Sequence, residues 1–342
     1  MDLRFSGRSL VAGALSLSMW LSPPVSANDA VDRKMELIVA VGEPGEKTYE
    51  TSFLSQVKGW RTLGKKAGIE CVAIGLDDPQ DDKSDRSRLL EHVSKLSTRP
   101  DTPLCLVLIG HGTHDGRDAK FNLRGPDLTP SDLASAMAPL KQEVAVIHTG
   151  SASGIFVKAL SKPNRIIITA TKSADEIWAT RFGDTFVEAL DDADSGADQD
   201  RQVSLLEAWL HSAASVSRSY EEDGRLATEH SVLDDNGDGV GTRSEAFDGL
   251  KLAQPPKEGT PDGSRARQWV LLLGNEEAKL SDDQRSRRNA LERQLEALTS
   301  RQSNLPEQSY YTQLEDLLLR IAAIYAEGPE TSGPSVKKNE SE

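Results

Sequence analysis

The chain is short of cysteine, of basic charge and of long apolar runs, and each shortage closes off options. Only Cys71 and Cys105 are present. Neither sits in a CxxC pair, beside a histidine motif or on a glycine-rich turn, the settings that make a thiol reactive or metal-binding. Both fall inside apolar runs and read as core residues. The 40 Lys and Arg against 54 Asp and Glu leave a net charge of −14. That balance argues against nucleic acid and anionic membranes as partners and suits solubility or cation binding. The one notable apolar run, Leu10 to Leu21, is too short to span a bilayer. It follows Arg4 and Arg8 and precedes the small residues of Val25-Ser26-Ala27, the pattern of a secretory signal peptide. Residues 1–27 are therefore expected to be cleaved after Ala27, giving an exported (periplasmic or extracellular) protein with no membrane span. An uncleaved anchor is the alternative. No cysteine follows the apolar run, so a lipoprotein anchor is not expected.

What is present is an alternation of short apolar runs and amphipathic stretches. The runs are 35–41 (MELIVAV), 70–74 (ECVAI), 104–109 (LCLVLI), 144–148 (VAVIH), 165–169 (RIIIT) and 268–273 (QWVLLL). Near-continuous apolar strands of this kind are covered on both faces. Helical spacing appears in 49–67, 86–96, 130–138 and 155–160. The alternation predicts an α/β fold, a doubly wound, mostly parallel six-stranded sheet with helices on both faces. It occupies residues 28–278. Residues 279–327 read as a C-terminal helical hairpin broken at Leu305-Pro306, with Leu291, Leu295 and Leu298 on one apolar stripe and Leu314, Leu318, Ile321 and Tyr325 on the other. The polar tail 328–342 reads as disordered.

Functional groups in an open α/β sheet collect at the carboxyl ends of the strands. The third run ends in Ile109-Gly110-His111-Gly112-Thr113. The fourth ends in His148-Thr149-Gly150-Ser151-Ala152-Ser153-Gly154. Consecutive strands tend to be neighbours, so His111 and Ser151 are expected to face one another across a crevice.

An apolar strand ending in His-Gly, followed by a second ending in x-C-x-S-G, resembles the caspase/legumain clan of cysteine peptidases. Here the second motif reads G-S-A-S-G, with Ser151 at the cysteine position. The resemblance spans Met35 to Gly274, includes the segment Lys120 to Leu128, and implies a caspase-like sheet. It makes His111 the base, Ser151 the nucleophile position, and the N–H groups of Gly112 and Ser151 the oxyanion donors, with Gly150 shaping the turn. A serine hydroxyl needs a well-aligned base far more than a thiol does. His148, His114 and Asp115 are the groups nearby in sequence that could rebuild such a site. The clan's strand order also places the first strand between the second and third. That would separate Cys71 from Cys105 by about 9–10 Å, beyond disulfide reach, and implies two free, buried thiols.

Two acidic loops remain. Asp234 to Glu245 (DDNGDGVGTRSE) matches D-x-N-x-D-G with a glutamate at the twelfth position. Asp234, Asn236, Asp238, the Val240 carbonyl and Glu245 are its candidate Ca²⁺ ligands. A poorer copy at 196–207 offers Asp198, Asp200, Ser204 and Glu207, and the spacing of the two resembles a paired EF-hand. Asx-turn loops that cap helices without metal are the alternative. The charged residues Glu207 and Glu229-His230 could instead line a substrate pocket. Three functions are thus left open. One is a peptidase-like protein, catalytically impaired, that binds a peptide or protein in the former active-site groove. The second is an active hydrolase using Ser151 and His111. The third is a Ca²⁺-binding assembly scaffold in which the loops and the hairpin, a coiled-coil-like pair, drive association.

Overall fold

Five of the six apolar runs form one parallel sheet: β1 (Glu36–Val41), β2 (Cys71–Ile74), β3 (Leu104–Ile109), β6 (Val144–His148) and β7 (Arg165–Thr169). Two short strands, β4 (Gly112–His114) and β5 (Ala119–Phe121), make a separate hairpin after β3. The computed structural model describes residues 35–77, 82–192, 196–197, 202–254, 256, 260–274 and 277–327. The expected signal peptide at 1–27, the 328–342 tail, Asp198 and Asp200 lie outside the described residues. No helix among the described residues is long and apolar enough to cross a membrane.

The sheet order is β2-β1-β3-β6-β7-β8-β9, with seven strands rather than six. Its last two members, β8 (Val232–Asp234) and β9 (Thr242–Arg243), are antiparallel additions. The run 268–273 is not a sheet strand. Gln268 ends a 3₁₀ turn begun at Ala266, and Val270 makes an isolated bridge to Ser204. β8 takes the edge of β7, and Trp269 of this run is buried in the core. Leu37 of β1 pairs with Cys71 on one side and Cys105 on the other, so a whole strand separates the two thiols. Both are free. Cys105 is buried, but Cys71 is only partly so. Burial pushes both thiols up, Cys71 to about 11.

Alternate strand residues feed two cores. Val39, Val107, Ile147 and Ile168 pack under α1 (Lys47–Ala67), α5 (Phe182–Asp191) and α6 (Leu205–Glu222), where Trp60, Phe186 and Trp209 are buried. Ile38, Leu106, Val146 and Ile167 pack under α2 (Asp85–Lys95), α3 (Pro130–Met137) and α4 (Ile155–Leu160). A minor hairpin, β10 (Phe247–Asp248) with β11 (Lys251–Leu252), precedes the C-terminal helices. Those are α7 (Asp282–Ser300) and α8 (Glu307–Ala326), with a core of their own. The seam of α8 runs through Tyr310, Leu314, Leu317, Ile321 and Ile324. Leu318 and Tyr325, expected on that seam, are about half exposed beside it. The α8 stripe carries apolar residues on two adjacent faces, and only packing against α7 chooses between them.

Candidate active site

The turns that leave β3 and β6 touch backbone to backbone, and two glycines permit it. A Cβ on Gly112 would lie 2.1 Å from the Ser151 carbonyl oxygen, and one on Gly150 would lie 2.4 Å from that of Gly110. Gly112 pairs with Phe121 across the β4–β5 hairpin. The flanking His111 carbonyl accepts from Asn122 N–H, so Gly112 occupies a non-hydrogen-bonded position and turns its own polar groups away from β5. Both meet one side chain. The Ser151 hydroxyl accepts from Gly112 N–H at 3.1 Å and donates to Gly112 C=O at 3.0 Å. Ser151 is 2 % exposed. One of the two N–H groups expected as oxyanion donors is therefore already bound to the group that should be the nucleophile.

The histidines are engaged elsewhere. His111 is half buried, edge-on to Tyr49 with centroids 4.5 Å apart and tilted against Phe53 at 5.2 Å. Burial pulls its pKa below the usual histidine range, opposed by a hydrogen bond to the Pro44 carbonyl and by Glu46. His148 is fully buried between Phe121 and Phe156. Its Nδ1 accepts from Gly150 N–H at 3.2 Å, which leaves the proton on Nε2, where it has no partner. Burial holds its pKa down to about 3. His114 lies 3.6 Å from the exposed Asp175. Asp115 accepts from the N–H groups of Arg117 and Asp118 in its own turn and orients no histidine. Among the described residues, none of these histidines hydrogen-bonds Ser151.

The rest of the G-S-A-S-G motif is structural. Ala152 sits at φ 52°, a left-handed conformation that strains a non-glycine residue by roughly 1–2 kcal/mol. Its N–H donates to the Glu176 carbonyl. The hydroxyls of Ser153 and Thr171 bond one another, and Thr171 also accepts from the N–H groups of Ser153 and Gly154. The segment between β7 and α5 is thereby stitched to the turn that carries Ser151.

That segment carries Glu176, Ile177 and Trp178, which no motif marked, and packs against Glu229-His230. The Glu176 carboxylate accepts from Lys172 N–H and His230 N–H and lies 2.5 Å from His230 Nδ1. Glu229 caps the start of α5, accepting from Arg181 N–H and Phe182 N–H. Between these two anchors Ile177 is 52 % exposed and Trp178 67 % exposed. A tryptophan in a polar loop was the available signal.

The acidic loop from Asp234 folds on its own backbone. Asp234 is buried and accepts from Gly237 and Gly239 N–H, while Asn236 and Asp238 accept from Asp238 and Val240 N–H. Glu245 pairs with Arg243 at 2.6 Å. Among the described residues no group of three or more His, Cys, Asp or Glu could hold a metal ion. As arranged, these side chains are engaged by loop N–H groups and by Arg243. In the second loop Ser204 and Glu207 form a buried capping box for α6. The two loops are not paired as in an EF-hand: β9 pairs with β8, and Ser204 bridges Val270.

No family model matches the chain, and no curated protein matches it. Among solved structures it is similar to the Drosophila initiator caspase Dronc, with 12 % identity and a TM-score of 0.41 over 70 % of this chain and 96 % of that one. It is also similar to caspase-1 from Spodoptera frugiperda, with 10 % identity and a TM-score of 0.37 over 60 % and 87 %. A third is a secreted C11 cysteine protease from Bacteroides thetaiotaomicron, in complex with an irreversible peptide inhibitor, with 10 % identity and a TM-score of 0.36 over 62 % and 67 %.

Proposed function

We propose that this chain is a catalytically silent peptidase-like protein that binds a peptide or protein segment in the groove at the carboxyl ends of β3 and β6. One observation carries the reading. Both hydrogen-bonding capacities of the Ser151 hydroxyl are spent on the Gly112 backbone, and no histidine hydrogen-bonds it. A serine becomes nucleophilic when a base can take its proton. Here the hydroxyl proton points at a carbonyl, and the would-be base His111 is committed to Pro44 and the Tyr49–Phe53 pair. The groove keeps a surface suited to a ligand. Ile177 and Trp178 are exposed on a segment fixed at Ala152 on one side and at Glu229-His230 on the other. Rigid exposed aromatics of this kind are frequent anchors in binding surfaces.

A fluorophosphonate probe tests the reading. No labelling of the full chain is expected. Labelling that disappears in Ser151→Ala would overturn it in favour of a working serine hydrolase. Ser151→Cys then asks whether a better nucleophile alone restores peptidase activity, and with His111 turned toward Pro44 little or none is expected.

A further inference from the structure

A cavity of about 110 Å³ lies against α6, walled by Ala170 and Phe182, by the 227–231 segment and by residues just after β9. Ser151, His111 and Gly112 do not line it. Its chemistry is unbalanced. Glu229 is 3 % exposed and has no ion-pair partner among the described residues. Its contacts are the N–H groups of Arg181 and Phe182 and the Tyr220 hydroxyl. The guanidinium of Arg181 is occupied, 2.5 Å from Asp223 and stacked 4.4 Å over the Tyr220 ring. The basic groups of the lining are also taken: Arg243 by Glu245 and His230 by Glu176. Ser231, 9 % exposed, lines the same cavity, and its buried hydroxyl has no hydrogen-bond partner.

A buried carboxylate with no direct ion pair, attracted only at longer range by Arg181, and a buried hydroxyl without a partner are both costly to keep. One group satisfies both. An ammonium brings a full positive charge and three donors in a small volume. By this measure of volume a water molecule takes roughly 10–15 Å³, so the space admits several waters or one short alkylammonium chain. The apolar walls at Ala213, Val216 and Phe182 would cover its methylenes.

We propose that this cavity is a binding site for a primary ammonium group, from a lysine side chain or a free alkylamine, held by the Glu229 carboxylate and the Ser231 hydroxyl. The site stands whether or not Ser151 is reactive. Burial pushes Glu229 up to about 7. The carboxylate is ionised above that pH, so ammonium affinity should rise as pH passes upward through about 7.

The test is titration of the full chain with n-butylammonium, with n-butanol as the neutral isostere, by calorimetry and thermal shift. N-acetyl-lysine methylamide is the side-chain probe. Butylammonium is expected to bind and raise Tm while butanol does not. Glu229→Gln should weaken binding at least tenfold and flatten its pH dependence, and Ser231→Ala should weaken it several-fold. Ala213→Leu, which fills the cavity from a helix surface without touching either polar group, should abolish it. Competition by the lysine derivative assigns the site to a protein side chain, and binding of butylammonium alone assigns it to a free amine. Absence of binding, equal binding of butanol and butylammonium, or binding unchanged in Ala213→Leu would overturn the proposal.

Discussion

Replacing Ser151 with alanine separates a structural serine from a catalytic one. Removing the hydroxyl leaves Gly112 N–H and Gly112 C=O without the partner that serves both, at a buried position where two turns touch. Each buried orphan costs about 1–3 kcal/mol. Gly112 lies at the end of the sheet, where a water can partly replace the lost contacts, so the lower half of that range applies. The expected loss is therefore about 2–4 kcal/mol. At roughly 2–4 °C per kcal/mol for a domain of this size, Tm should fall by about 4–16 °C. Thermal scanning and urea unfolding followed by circular dichroism measure it, and an unchanged urea slope would show a change in stability without a change in the surface exposed on unfolding. Ser151→Cys should fall between the two, because a thiol is a weaker donor and acceptor. A nucleophile held in a strained, underused geometry behaves oppositely, since its removal commonly leaves stability equal or higher. A Tm for Ser151→Ala at or above the wild type would refute the structural account and reopen the catalytic one.

The other predictions are briefer. His148 is held neutral down to about pH 3, while an unfolded histidine takes its proton near 6.5. The unfolded state therefore gains protons first, and stability falls by about 1.4 kcal/mol per pH unit as pH drops from 6.5 toward 3. His148→Asn keeps an acceptor for Gly150 N–H without titrating, so the stability difference between the two proteins should close with that slope. Parallel curves would show that His148 is not the group responsible. Trp178→Ala should weaken peptides selected from a displayed library against the full chain by tenfold or more, with Tm nearly unchanged because the ring is exposed. Selected peptides that bind the variant equally well would move the ligand surface elsewhere. Millimolar Ca²⁺ should leave Tm unchanged, because Glu245 is held by Arg243 and Asp234 by its own loop. A Ca²⁺-dependent rise that is lost in Glu245→Gln would reinstate the calcium reading.

Apolar runs identified β1, β2, β3, β6 and β7 because a strand covered on both faces must be apolar along its whole length. The same logic failed for 268–273. That run is as apolar as the others, but β8 had already taken the edge of β7, and an edge position accepts one partner. Helix spacing found α7 and α8 and misplaced half of the α8 seam, because Leu318 and Tyr325 belong to an apolar face that α7 does not cover. In the acidic loop the spacing of Asp234, Asn236 and Asp238 serves an Asx-turn ladder as well as it serves a cation, and the structure shows the ladder, with Glu245 paired to Arg243.

By itself the sequence determined that His111 and Ser151 follow two strands of one parallel sheet, each beside a glycine. Those outcomes depend on local pattern and on short spacing along the chain. Tertiary structure decided what the hydroxyl does. Ser151 faces Gly112 because Gly112 falls on a non-hydrogen-bonded position of the β4–β5 hairpin, and that register depends on Phe121 pairing across from it. It also joined Phe182, Glu229 and Ser231 around one cavity and fixed the loop of Trp178 to the turn of Ser151. Contacts between residues far apart in the chain depend on packing, and residue spacing does not encode them.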